Sequence, residues 1–146
     1  MKTNLGIYIN NLADTNQLQA ISETVNECIE KNIVGDCSIF FDNIAYNPFK
    51  TKCGVFNSTD IWNFSGKLIT TSLSSTLTAL KIVNKIDIYY YYGWENKVNV
   101  LALMNLLMQK VQPFAKSEKD QLDMYRKTGL KPILCHDFMS IVNRIG

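Results

Sequence analysis

The chain has 146 residues, of which 47% are hydrophobic and 19% charged, so its length and balance are typical of one folded globular domain rather than a disordered chain. The formal net charge of +2 is too small for an electrostatic footprint, so we expect no nucleic-acid partner. The longest apolar run, 98–111, is interrupted by polar residues and is shorter than the roughly 20 residues that span a membrane. The start of the chain does not resemble a secretory signal, and a cytoplasmic location is the expectation.

The first part of the chain predicts a β-α-β unit. Residues 5–9 are strand formers, and residues 14–17, with Asp14 as a cap, open a helix with apolar positions at spacings of three and four up to residue 29. Residues 37–41 predict the next strand. Because the intervening helix is long enough to cross over a sheet, we expect the two strands to be parallel.

Residues 44–64 have an irregular pattern. Residues 47–48 are an Asn-Pro turn signal, residues 53–56 favour a short strand, and residues 60–64 fit no regular element. Long irregular loops often carry binding groups, so this segment is a further candidate for specificity.

Strand and helix alternate again in the second half. Residues 67–71 predict a strand, and Ser72 is a helix cap. The helix that follows places four apolar side chains on one face: Leu73, Leu77, Leu80 and Val83. A Tyr-rich strand follows at 86–91, and then a helix at 98–111, which is apolar around most of its circumference and is therefore expected to be buried on more than one side.

The last third ends in a strand and a closing helix. We expect residues 113–115 to be a short extended link, and residues 117–120 to form a capping box for a helix that turns Leu122 and Tyr125 inward. Stop signals follow up to Pro132. Residues 133–136 predict the last strand and residues 139–145 a short closing helix.

This alternation, with strands that are near-continuous apolar runs, predicts an α/β fold. We expect one domain over 1–146, a three-layer α/β/α sandwich with a mostly parallel, Rossmann-like sheet.

Ligands of open parallel sheets bind beyond the carboxyl ends of the strands, where the crossovers diverge. The residues at those ends are therefore the candidates for ligand binding: Asn10, Asn11, Asp42, Ser72, Trp94, Glu95 and Ser117.

The sequence gives no sign of a bound cofactor. It contains neither G-x-G-x-x-G nor G-x-x-x-x-G-K-[ST], so a dinucleotide-binding Rossmann enzyme or a P-loop enzyme is not expected. The four cysteines form no C-x-x-C pair and are expected to be reduced and buried.

His136 is the single histidine, and with Asp137 and Glu95 it is a candidate for catalysis by general acid or base. A lone histidine at a strand end is more often structural. No metal site is expected, because Cys135 and His136 as neighbours in a strand would point to opposite faces.

Two further features each allow a structural and a functional interpretation. Trp94 beside Glu95 suits a sugar or an amine, but it equally suits an aromatic corner that packs the following helix on the sheet. Ser117 with the free amides of a helix start can hold an anion, but most such serines only cap helices. The tyrosines of 89–92 alternate faces, so two at most can line one surface.

Three segments carry a resemblance to a known family: 113–122, 129–133 and 136–138. A short strand, a helix start containing Ser117, a helix and a second strand ending near Asp137 resemble the end of the N-terminal domain in GT-B fold glycosyltransferases. Asn10 and Asn11 occupy the place of a substrate-facing loop, and the Tyr-rich strand with Trp94 and Glu95 is similar to the family's central strand and acceptor-side loop.

This resemblance implies a domain that binds a sugar or another polar ligand without independent catalysis. GT-B enzymes bind the nucleotide sugar mainly through a second domain, which would begin where this chain ends. The chain would then be a shortened enzyme, the partner of a separately encoded half, or a domain that has lost transfer activity. Two alternatives stay open: an α/β scaffold that binds proteins, and a small autonomous enzyme that uses His136.

Overall fold

Seven parallel strands form one sheet in the computed structural model, which describes residues 3–11, 15–43, 51–82, 85–95 and 98–145. The strands are β1 (Leu5–Asn11), β2 (Cys37–Asn43), β3 (Gly54–Asn57), β4 (Gly66–Thr70), β5 (Ile86–Tyr92), β6 (Val111–Ala115) and β7 (Ile133–Leu134). Their order across the sheet is β3-β2-β1-β4-β5-β6-β7. The predicted α/β class with a parallel, Rossmann-like sheet is confirmed.

Helices cover both faces of this sheet. They are α1 (Thr15–Glu30), α2 (Leu73–Ala79), α3 (Val100–Leu107), α4 (Glu118–Thr128) and α5 (Phe138–Ile145), with a 3₁₀ helix at Ser58–Asn63. The helices α1 and α5 pack on one face, which we call the α1 face, and the others pack on the opposite face, which we call the α2 face.

Alternation along the strands builds a core on each face. In β1, Ile7 and Ile9 are buried against the α1 face, whereas Tyr8 belongs to the α2 face. In β5, Tyr91 packs on the α1 face and Tyr90 on the α2 face. The period of two in a strand therefore divides the tyrosines between the layers, as predicted.

Several predicted boundaries and caps agree with the structure. Ser72 and Ser117 are the N-caps of α2 and α4, and each accepts a hydrogen bond from the backbone N–H three residues on. Gly129 ends α4 in the left-handed conformation, with φ of 78°. The short strand predicted at 53–56 is β3, and the unassigned segment 60–64 lies largely in the 3₁₀ helix. The predictions for Asp14, residues 47–48 and Val83 fall outside the described residues.

The expected link at 113–115 is wrong, because these residues belong to β6 inside the sheet. Proline is rare there, since it cannot donate to the ladder. Ala115 O accepts from Cys135 N on the β7 side, and by alternation Pro113 faces the same side. Because β7 begins opposite Phe114, Pro113 has no strand beside it there and costs the ladder no hydrogen bond.

The expected burial of two helices is also wrong. The helix predicted at 98–111 is the shorter α3, and only part of its surface packs on the sheet: Leu103 and Leu106 are buried, whereas Leu101 is 74% exposed. In α2 the fully buried side chains are small, with Thr76 at the centre, and Leu77 is exposed. Apolar composition alone does not show which side of a helix meets the sheet.

The inward side of α4 differs from the prediction as well. Leu122 and Tyr125 are 47% and 51% exposed, and Met124 is the fully buried side chain. Tyr92 donates a hydrogen bond to Asp123 of α4, and Lys127 forms an ion pair with the same carboxylate. The ion pair lies within α4, whereas the bond from Tyr92 joins α4 to β5 while Met124 turns toward the sheet.

A pair of truncations measures this orientation. We expect Met124→Ala to lower the free energy of unfolding by about 2–4 kcal/mol, because it leaves a cavity under α4. Leu122→Ala is the matched control and should cost less than about 1 kcal/mol, since its side chain is half in solvent. Urea denaturation gives both values, and a larger loss from Leu122→Ala would contradict the orientation.

Candidate functional site

The crossovers of the sheet diverge between β1 and β4. The connection from β1 leads through α1 to β2 on one side, and the connection from β4 leads through α2 to β5 on the other. In open α/β sheets a crevice forms at the carboxyl edge where the order reverses in this way. The residues that end β1, β4 and β5 therefore define the candidate site.

The turn from β4 into α2 is a run of buried hydroxyl side chains. Thr70 and Thr76 share a hydrogen bond of 2.7 Å, and the hydroxyl of Thr71 donates to Oε1 of Gln17 in α1 at 2.6 Å. The hydroxyl of Ser72 accepts from Ser75 N at 3.1 Å as the helix cap. Thus the hydroxyl of Ser72, which the sequence predicts to bind ligand, serves as the cap of α2. The bond from Thr71 to Gln17 joins the turn to α1.

Asn10 ends β1 beside this turn. Its Nδ2 donates to Oγ of Ser74, an exposed serine in the first turn of α2, at 3.0 Å. Oδ1 of Asn10 is buried and has no hydrogen-bond partner among the described residues. Buried polar atoms in folded proteins are nearly always paired with protein, water or ligand. For Asn11 the description covers the backbone alone.

Glu95 reaches the other side of the same helix start. Its Oε2 accepts from the backbone N–H of Leu73 at 3.1 Å and from the hydroxyl of Tyr90 at 3.3 Å. Burial raises the pKa of the Glu95 carboxyl above the ordinary value of 4.5, and these two hydrogen bonds oppose the rise. A carboxyl that keeps its proton to higher pH is suited to proton transfer.

Trp94 does not join Glu95. Its indole stacks on Phe138 of α5, with centroids 5.6 Å apart, and meets Tyr91 edge-on, so it belongs to the α1 face, whereas Glu95 contacts the α2 face. Lys116 Nζ lies 3.8 Å from the centroid of the indole. Both interpretations of Trp94 need correction: it does not form a platform with Glu95, and it packs α5 rather than the helix that follows it.

Asp42 lies at the end of β2, next to β1. Its Oδ1 accepts from the hydroxyl of Tyr8 at 2.6 Å. Burial, and then the hydrogen bond to this carboxylate, raise the pKa of Tyr8 to about 12. Asp42 thus holds the end of a buried tyrosine on the α2 face, and the register of β1 with β2 places Asp42 directly beside Asn10.

Ser117 lies beyond the end of β6. Its hydroxyl donates to Oδ2 of Asp120 at 2.7 Å and accepts from Asp120 N at 3.2 Å. The first turn of α4 carries Glu118 as well. Two carboxylates at this helix start disfavour the anion that the sequence suggested as one option, and Ser117 acts as a cap.

His136 and Asp137 lie at the far end of the sheet. Both are exposed, and β7, which precedes them, is separated from β1 by three strands, about 19 Å at the usual strand spacing. Oδ1 of Asp137 accepts from the N–H and the hydroxyl of Ser140, both at 2.7 Å, and these bonds lower the pKa of Asp137. Asp137 therefore caps α5.

The four cysteines are free thiols, and three of them are buried: Cys28, Cys37 and Cys135. The hydrogen bond with Cys53, followed by burial, raises the pKa of the Cys37 thiol. Among the described ranges, no group of three or more His, Cys, Asp and Glu side chains is placed to hold a metal ion.

The structure therefore brings together a part of the predicted set. Asn10 and Glu95 flank the start of α2, and Asp42 lies beside Asn10 on the neighbouring strand, while Trp94, Ser117 and His136 lie elsewhere along the edge. Sequence reasoning missed Ser74 and Gln17. The run of hydroxyl residues at 70–76, directly after a predicted strand, is the signal in the sequence that would have drawn attention to this turn.

These features define the class of protein as a Rossmann-like α/β domain with polar side chains at its switch point, where open α/β sheets bind their ligands. Comparison of the chain with protein-family models, curated proteins and solved structures gave no significant match. Of the helices in the described residues, none has the length and apolar character needed to cross a membrane.

The pKa of Glu95 gives a direct test of this geometry. We expect a carbon-13 NMR titration to show a Glu95 pKa above 4.5, and Tyr90→Phe to raise it further, since the tyrosine hydroxyl stabilises the charged form. Tyr89→Phe is the matched control, because Tyr89 packs on the α1 face, and it should leave this pKa unchanged.

The same shift has a consequence for stability. Because the pKa of Glu95 is higher in the folded state than in the unfolded state, this carboxyl contributes its full stabilisation at a pH below its unfolded-state pKa. That stabilisation is lost as the pH rises through its folded-state pKa. The stability of the wild type relative to Glu95→Gln should therefore fall over that interval and then level off. A difference that grows with pH would contradict the assignment.

Proposed function

We propose that this domain binds a neutral, hydroxyl-rich ligand, of which a sugar is the model, in the crevice between β1 and β4. In this proposal the domain acts as the acceptor-side half of a glycosyltransferase-like protein of the GT-B type. It has no independent catalysis, and the nucleotide sugar binds to a second domain or a partner chain. The cytoplasmic location predicted from the sequence stays a prediction.

One observation carries the proposal: Oδ1 of Asn10 is a buried acceptor with no partner among the described residues. The amide is held in place by its other end, since Nδ2 donates to Ser74. Leaving a buried acceptor unpaired costs about 1–3 kcal/mol, so a ligand hydroxyl that donates to this oxygen would be favourable once the groups that cover it move aside. Sugars present such hydroxyls in number.

The charges of the crevice favour a neutral ligand over a phosphate. Among the described residues, the side chains that flank the start of α2 are an amide, hydroxyls and the Glu95 carboxyl, with the Asp42 carboxyl beside Asn10, and none of these is a cation. The N–H of Leu73, which an anion would use, already donates to Glu95. A sugar hydroxyl can donate a hydrogen bond to these carboxyl groups.

Saturation-transfer NMR with a panel of simple sugars and nucleotide sugars tests the proposal. We expect one or more sugars to bind at millimolar concentration, and Asn10→Ala to weaken that binding about tenfold, because the buried acceptor is removed. Asn143→Ala, at an exposed asparagine of α5, is the matched control and should bind as the wild type does. No binder at millimolar concentration, or equal binding by both variants, would count against the proposal.

A second candidate is the protein-binding scaffold, and a different observation favours it. The outer surface of α3 exposes apolar side chains, with Leu101 at 74% and Met108 at 83%, and Met104 beside them. Exposed apolar patches of this kind often mark protein interfaces. A partner chain packed on this surface would bury α3 on a second side, as the sequence predicts.

Sedimentation velocity between micromolar and submillimolar concentrations tests this candidate. If α3 is a contact between copies, the wild type should associate with rising concentration and Leu101→Lys with Met108→Lys should not, since a charge opposes burial. Leu130→Lys, an exposed leucine after α4, is the control. A concentration-independent monomer that captures no protein from its host lysate would leave this candidate without support.

A further inference from the structure

A second concave site lies at the opposite, amino edge of the sheet. A cavity of about 420 Å³ opens between the 3₁₀ helix and the strands β2 and β3, on the α2 face. Its volume is within the range of small-molecule pockets. It shares no residue with the crevice between β1 and β4.

Three phenylalanine rings line this cavity. Phe40 comes from β2, Phe56 from β3, and Phe64 from the connection into β4. The centroid of Phe40 lies 6.1 Å from that of Phe56 and 5.6 Å from that of Phe64, and the second pair meets edge to face. Phe40 and Phe64 belong to the core of the α2 face, whereas Phe56 is 42% exposed at the edge strand.

Two strand glycines allow the rings to occupy these positions. A Cβ on Gly54 would lie 2.5 Å from the ring of Phe56, and a Cβ on Gly6 would lie 3.0 Å from Cζ of Phe64. Glycine weakens a strand and often marks the close approach of another group. The strand glycines therefore provide the space in which the rings of Phe56 and Phe64 pack.

The polar lining of the cavity is acidic. Asp36 and Asp60 are among the residues that line it, and the other four polar ones are asparagines or serines. Of the nine described lining residues, none is a lysine, arginine or histidine. One oxygen of Asp36 accepts from the backbone N–H of Cys37 at 2.8 Å. The negative charge beside aromatic rings favours a positively charged ligand and disfavours an anion.

We propose that this cavity binds a small organic cation, such as a quaternary ammonium group. Aromatic faces attract such a cation through the ring quadrupole, and they do so without the hydrogen bonds that an ordinary ammonium needs. Phe56 offers most of the open ring surface here, because Phe40 and Phe64 are only 3% and 9% exposed. The carboxylates of Asp36 and Asp60 add Coulomb attraction at the rim. A neutral apolar ligand would fill the same volume but would make no use of either carboxylate.

The test compares choline with its neutral isostere 3,3-dimethylbutan-1-ol on the full chain, by NMR titration at low salt. We expect choline to bind at millimolar concentration and the isostere to bind about tenfold more weakly. Asp60→Asn and Phe56→Leu should each weaken choline binding roughly threefold to tenfold. Glu23→Gln and Tyr125→Leu, an exposed carboxylate on α1 and an exposed ring on α4, are the matched controls and should bind choline as the wild type does.

Three results would overturn the proposal. They are equal affinity for choline and its isostere, no saturation by choline at about 50 mM (roughly fiftyfold above a dissociation constant of 1 mM), and unchanged choline affinity in Asp60→Asn. Because Asp60 is an exposed residue of the 3₁₀ helix, Asp60→Asn is expected to fold. Its choline affinity therefore tests the proposal even if Phe56→Leu fails to fold. Sugar binding at the other edge is measured separately, so the two proposals fail or stand independently.

Discussion

The pairing of β1 with β4 is the constraint on which the rest of the molecule depends. The two strands are joined in register from Leu5 opposite Lys67 to Tyr8 opposite Thr70. Because they are parallel, each is joined to its next strand by a crossover, and the two crossovers run in opposite directions across the sheet. That divergence separates α1 from α2 and marks the carboxyl edge between β1 and β4, where open α/β sheets bind their ligands.

At this edge, hydrogen bonds rather than apolar contacts join the strand ends to α1 and α2. Thr71 reaches Gln17 of α1, Asn10 reaches Ser74, and Glu95 reaches the first amide of α2. Each bond crosses from one strand end to another element, so the polar residues also hold the layers together. A buried network of this kind fixes its members in position, and a single unpaired atom within it, such as Oδ1 of Asn10, is a distinctive feature.

Much of the fold could be predicted from the sequence, because it depends on local signals. The strand at 37–41, the caps at Ser72 and Ser117 and the stop at Gly129 each follow from residue chemistry over a few positions, and the structure agrees at each of them. Strand 113–115 was missed because Pro113 argues against a strand, and only the short length of β7 makes it tolerable.

The errors share a physical cause: the direction in which a helix faces depends on contacts distant in sequence. In α4, Met124 is buried in place of Leu122, and the contact that joins this helix to the sheet comes from Tyr92, 31 residues before Asp123. The site was only partly predictable for the same reason. The strand ends could be identified from the sequence. The sequence did not show which face of the sheet Trp94 and Glu95 would each contact, because a shift of one residue moves a side chain to the opposite face.

Chemical-shift mapping of backbone amides, with the tightest-binding sugar of a panel added to the wild type, locates the ligand site directly. We expect the shifted amides to cluster at Asn10, at residues 71–75 and at Glu95, around the start of α2. Shifts centred on His136 and Ser117, or on the cavity at the amino edge, would contradict the assignment of the ligand site to the crevice between β1 and β4.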